Sequence, residues 1–103
     1  SNFIFISGQL PINPLTNELI INDIKKATEQ IIINISSILK EAGLTLENIV
    51  KTTIFIKDIS KFSEVNEIYS KYFNENPPAR TTIEVSNLPK NAEIEIEAIA
   101  YKN

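Results

Sequence analysis

The chain has 103 residues and contains neither cysteine nor histidine, which excludes disulfides, thiolate metal sites, a cysteine nucleophile and every Ser-His or Cys-His catalytic pair. Its length suits a single domain, residues 1–103, with one modest core. A net charge of −3 and a pI near 4.9 disfavour nucleic acid as a partner, because phosphate binders carry basic stripes.

The first predicted element is a strand, Phe3-Ile4-Phe5-Ile6-Ser7, stopped by Gly8 and apolar on both faces, hence expected to be buried. A chain that opens inside a strand suggests that an upstream segment precedes it. Pro11, Asn13, Pro14 and Asn17 punctuate a polar loop. From Asp23 to Ala42, Ile24, Ala27, Ile31, Ile35, Ile38 and Ala42 recur at three- and four-residue steps, the mark of one helix face. Asn22 or Asp23 can cap its start, Gly43 can end it in a left-handed conformation, and Ile32 and Ile33 widen the arc so that it lies flat on a sheet.

Ile49 to Lys57 predicts a strand with Val50, Ile54 and Ile56 on one face and Ile49, Thr53 and Phe55 on the other. Ser60 can cap a second helix, Lys61 to Phe73, with Phe62, Val65, Ile68, Tyr69, Tyr72 and Phe73 at helical spacing. Asn76-Pro77-Pro78 ends it, because proline cannot continue a helix. Two strands follow, Thr81 to Val85 and Glu93 to Tyr101. In the latter, Ile94, Ile96, Ala98 and Ala100 face one way and Glu93, Glu95, Glu97 and Ile99 the other. The expected architecture is α+β, a sheet of at least four strands with both helices on one face. The sheet's other face is semi-apolar and needs a partner, which a second copy of the chain supplies. No stretch approaches the ~20 apolar residues of a membrane helix, and the first residues lack a signal peptide's basic and apolar regions. The chain reads as soluble and cytoplasmic, with an organellar targeting extension left open.

Chemistry must therefore run on arginine, carboxylates, hydroxyls, backbone groups and water. Arg80 is the only arginine among ten basic residues. A lysine-rich chain keeps arginine where a planar, permanently charged fork does what an ammonium cannot. Arg80 follows the rigid Pro77-Pro78 turn, so its direction of approach is set for binding a carboxylate. The alternative is a surface arginine pairing with Glu84 or with the Glu93–Glu97 ladder. Three glutamates on one strand face repel one another, and the central Glu95 is the best candidate for a positioned carboxylate. Ser7 and Gly8 close a buried strand where a hydroxyl and free backbone groups can line a cleft. Asn66 sits on the polar side of the second helix and is unremarkable alone.

In order and near-constant spacing, Ser7-Gly8-Gln9-Leu10-Pro11, the run from Val50 to Asp58, Val65-Asn66, Pro78-Ala79-Arg80, and Leu88-Pro89 followed by Ile94 to Ala100 resemble the RidA/YjgF family, often called endoribonuclease L-PSP. The resemblance runs from Phe3 to the C-terminus. It implies a chorismate-mutase-like fold, a mixed sheet with two helices, assembled as a homotrimer with clefts at the subunit interfaces. It implies hydrolytic deamination of reactive 2-imino and 2-enamino acids, such as 2-iminobutanoate and 2-iminopropanoate, to 2-oxo acids and ammonia, with no cofactor and no metal. By motif position, Arg80 is the carboxylate anchor and Glu95 the water-positioning acid, the two catalytic candidates. Ser7, Gly8, Asn66 and Thr82 are substrate-binding or pocket-support candidates. Relatives usually carry an upstream Gly-Pro-Tyr-like segment, and many have cysteine where Thr82 stands, so thiol-based behaviour does not transfer.

Two other functions fit the residues. One is a non-catalytic trimeric module that binds small carboxylates and regulates. The other is the family's endoribonuclease or translation-inhibitor role, for which this chain offers neither a histidine base nor a phosphate track.

Overall fold

The computed structural model describes residues 2–103. In chain order these form β1 (Phe3–Gln9), a small hairpin of β2 (Ile12–Asn13) and β3 (Glu18–Leu19), α1 (Ile24–Glu41), β4 (Ile49–Ile56), α2 (Phe62–Tyr72), β5 (Ala79–Glu84) and β6 (Ile94–Tyr101). The main sheet has the order β1-β6-β4-β5. β6 is antiparallel to both neighbours and β5 is parallel to β4, so the sheet is mixed. A parallel pair needs a crossover, and α2 supplies it. The class is α+β, with a hairpin where the polar loop was expected.

α1 starts and stops where its sequence predicts. The Asp23 carboxylate accepts the Lys26 amide at 3.0 Å, and Gly43 adopts φ 75° just past the end. Its buried stripe is Ile24, Ala27, Thr28, Ile31, Ile32, Ile35 and Leu39, each large aliphatic side chain contributing about 1.5–3 kcal/mol by burial. The helix is turned toward Ile32 and Leu39, so Ile38, predicted on the buried face, is exposed and Leu39 takes its place. The cap of the second helix also differs. Asp58, not Ser60, opens a 3-10 turn (Ile59–Lys61) by accepting the Ser60 amide at 3.0 Å, and α2 follows directly.

One core lies between the helices and one sheet face. It joins Ile6, Ile54, Ile56, Ile94, Ile96, Ala98 and Ala100 of the sheet to the α1 stripe and to Val65, Tyr69 and Phe73 of α2 and its end. β6 alternates as predicted. β4 does not, because its pairing with β6 slips between Ile49 and Lys51. This bulge turns Ile49 into the core and Val50 out, reversing the predicted faces. β1 was expected to be buried on both sides and to stop at Gly8. Instead it continues to Gln9, with Ile6 in the core and Phe5 73% exposed on the opposite face. Among the described residues, no element covers that face, which also carries Phe3 and Ile83. Among the described residues, no helix is long and apolar enough to cross a membrane.

Candidate active site

The register of the parallel pair decides where Arg80 points. Arg80 stands beside Thr52 and Thr82 beside Ile54. Thr52 and Ile54 are buried under the helices, so Arg80 and Thr82 share the helix side of the edge strand. There α2 presents Phe62, Asn66 and Tyr69, residues at i, i+4 and i+7 and hence on one helix face. Nη1 of Arg80 donates to Asn66 Oδ1 at 2.7 Å, and the guanidinium carbon lies 5.0 Å from the Phe62 ring centre and 4.8 Å from that of Tyr69. Asn66 is thus half-buried on the Arg80 side of α2, not on its polar side as the sequence reading had it. A polar residue at i+4 from one aromatic and i−3 from another belongs to their stripe.

Tyr69 is held in turn. Its hydroxyl lies 2.7 Å from the Thr52 hydroxyl, and both residues are buried. Burial pushes the Tyr69 phenol up against the opposing pulls of the Thr52 bond and the Arg80 charge, so it stays a neutral hydroxyl. Arg80 itself is exposed and, among the described residues, has no carboxylate partner. The pairing with Glu84 or the glutamate ladder does not form. Glu84 accepts the Ile59 amide at 2.8 Å and Glu93 the Asn22 amide at 3.2 Å. A cleft of about 460 Å³ opens beside Arg80, lined by Asn66, Tyr69, Ser70, Phe73 and the Pro77-Pro78 turn.

Glu95 lies elsewhere. It stands on the uncovered sheet face, across from Phe55. Beside it, β1 slips register between Ile6 and Gln9, and Ser7 and Gly8 occupy the irregularity. A Cβ placed on Gly8 would coincide with the Glu95 carboxylate. Gly8 is therefore glycine for room, not for backbone freedom. Burial, and next the charge of Glu97, hold the Glu95 carboxyl above the usual carboxylate range. Ser7 is exposed, and its carbonyl accepts Gln9 Nε2 at 3.0 Å.

The six candidates thus fall into two groups. Arg80, Asn66 and Thr82 gather on the helix side of the β5 edge, while Ser7, Gly8 and Glu95 gather on the uncovered face near the β1 edge. Arg80 is level with Ala98 across two strands, which puts its Cα about 14 Å from that of Glu95 by standard sheet spacings. One copy of the chain does not bring them together. Sequence reasoning missed Phe62, Tyr69 and Thr52 as site residues, reading the first two only as part of the helical spacing of the second helix. The readable signal was the 62, 66, 69 spacing of two aromatics around an asparagine.

Among proteins of known sequence, a RutC family protein of Pyrococcus abyssi is 54% identical over 101 residues, 98% of this chain and 80% of that one. Among solved structures, the Rid family protein YyfA of Yersinia pestis is 52% identical with a TM-score of 0.95, over 98% of this chain and 81% of that one. TdcF of E. coli, solved with bound serine, is 36% identical with a TM-score of 0.94, over 100% of this chain and 83% of that one. The model of the family described as endoribonuclease L-PSP matches residues 1–102. The chain belongs to this family, that of the RidA, YjgF and RutC proteins.

Proposed function

We propose that this protein hydrolyses reactive 2-imino and 2-enamino acids, including 2-iminobutanoate and 2-iminopropanoate, to 2-oxo acids and ammonia. The observation that carries the reading is the arginine fork. The chain's one guanidinium is fixed by a hydrogen bond and two ring faces, is unpaired with any carboxylate among the described residues, and faces an open cleft. Such a fork is preset for a bidentate carboxylate.

In this reading Arg80 clamps the substrate carboxylate while Glu95 and the backbone at Ser7 and Gly8 hold a water against C2. The water oxygen bonds to C2 and the C=N π pair moves to nitrogen. Proton transfer to nitrogen and cleavage of the C–N bond then release ammonia and leave the 2-oxo acid. An enamine first takes a proton at C3. A protonated imine is already electrophilic, so no cofactor or metal is required. The rate gain comes from orientation and electrostatics. The raised carboxyl of Glu95 is a stronger proton acceptor than an ordinary carboxylate.

The two residue groups meet only if another copy contributes one of them. The uncovered apolar face that carries Phe3, Phe5 and Ile83 supports such a contact, and a homotrimer with clefts between subunits is the assembly proposed. The experiment feeds threonine or serine to a 2-imino acid-generating dehydratase in the presence of semicarbazide. The protein is expected to suppress semicarbazone formation and Arg80→Ala is not. Equal suppression by both would refute the anchor.

A second reading, a trimeric module that binds small carboxylates without turnover, is favoured by one observation. TdcF was solved with serine, which has the carboxylate but no imine. Ligand binding without ammonia release would establish it. A ribonuclease role has less support, since Arg80 is the one basic residue lining its cleft.

A further inference from the structure

We infer that Tyr69, pinned through its hydroxyl by Thr52, is a positioning residue that sets the direction of the Arg80 guanidinium and hence its affinity for a carboxylate. This rests on the reading of Arg80 as the anchor. The contacts form a closed circuit. Thr52 is the β4 residue in register with Arg80; its hydroxyl lies 2.7 Å from that of Tyr69; and the Tyr69 ring lies 4.8 Å from the Arg80 guanidinium carbon. The strand pairing that places the Arg80 backbone therefore also places the hydroxyl that fixes the ring beneath its head group.

An arginine on an exposed edge strand ordinarily samples many rotamers, and each must be given up on binding. Here the ring and the Asn66 bond remove that freedom beforehand. The Thr52–Tyr69 bond is buried at both ends, so water does not compete for it and Tyr69 is held against tilting or sliding. Tyr69 has no need to touch substrate. Its effect passes through Arg80.

The merely structural alternative is that the two hydroxyls only satisfy each other in the core. Three variants separate the accounts: Tyr69→Phe, Thr52→Val and the double variant. Each single change strands one buried hydroxyl and lowers Tm, whereas the double change removes both and restores Tm toward the parent. Because Arg80 is the only arginine, protein labelled with 15N-arginine has one Nε–Hε signal, which reports guanidinium mobility directly. Titration with 2-oxobutanoate, a stable carboxylate, reports affinity.

If Tyr69 positions Arg80, the double variant recovers its Tm but keeps a mobile Arg80 signal. Its Kd for 2-oxobutanoate stays raised roughly three- to tenfold, an effect of about a factor of ten or less per lost constraint. Its KM rises with kcat little changed. Recovery of the signal and the Kd together with Tm would overturn the inference. Arg80→Ala is the separate check on the underlying reading. If it binds 2-oxobutanoate as tightly as the parent does, the anchor falls and this inference with it, whatever the Nε signal shows.

Discussion

Around Arg80 the contacts come from the chain's own core and crossover helix, whereas Glu95 stands on the sheet face that no described element covers. The arginine is aimed by what is present: a helix stripe, a strand register and a buried hydroxyl pair. The acid is shaped by what is absent, the missing Cβ of Gly8, and by a like charge at Glu97. The anchor is preorganised when one chain folds. In the proposed assembly the acid's setting is completed from outside. The first half should therefore respond to substitutions in α2 and β4, and the second to substitutions at β1 and to assembly.

The largest effect is expected at Arg80. Arg80→Ala should lower kcat/KM by roughly 100- to 1,000-fold, the scale of a lost charge-assisted clamp, with Tm little changed because the side chain is exposed. Arg80→Lys should restore only a small part of it, because charge without the planar fork fits neither the rings nor a bidentate carboxylate. Steady-state imine turnover and a melting curve read both. Gly8→Ala should come next, lowering kcat by about 100-fold through a displaced Glu95 carboxylate and leaving carboxylate affinity at the Arg80 half intact. Loss of both parameters together would break the division of labour.

A smaller effect is one of pH. In the proposed mechanism Glu95 acts as a carboxylate, and its folded pKa is raised by burial and by Glu97, so the acid limb of kcat/KM should lie above the ordinary value of about 4.3. Glu97→Gln removes the second cause and should shift that limb to lower pH, while burial keeps it above the ordinary value. A raised folded pKa also means that this group favours folding at low pH, a contribution lost as pH rises through the folded value. Smallest of all is the exposed Lys25–Glu67 bridge at 3.0 Å between α1 and α2. Lys25→Ala should leave Tm and turnover unchanged within error, since exposed pairs contribute little and buried Val65, Ile68 and Tyr69 hold the platform.

Local pattern carried much of this molecule. The three- and four-residue spacing from Ile24 to Ile35, the Asp23 cap, the alternation of β6 and the singular Arg80 were all readable before any coordinates, because each depends on neighbours within about one or two helical turns or on a period of two. What was not readable depends on partners far along the chain. The bulge at Ile49 and Val50 reverses two faces of β4 through its pairing with β6, and period alone carries no register. Asn66 looked solvated because its residue type was weighed ahead of its spacing from Phe62 and Tyr69. The Thr52–Tyr69 bond spans a strand and a helix, and nothing local announces it. The separation of Arg80 from Glu95 follows from the strand order, which no local pattern encodes.

The central claim is that one copy supplies the anchor and another the acid. It is tested most directly by co-expressing Arg80→Ala and Glu95→Gln chains under different tags and assaying the purified mixed oligomer for imine hydrolysis. In a mixed trimer one of the three clefts pairs an intact Arg80 with an intact Glu95. The purified mixed trimers should therefore restore roughly a third of parental activity from two inactive variants. Activity no higher than that of the separate variants would contradict the account.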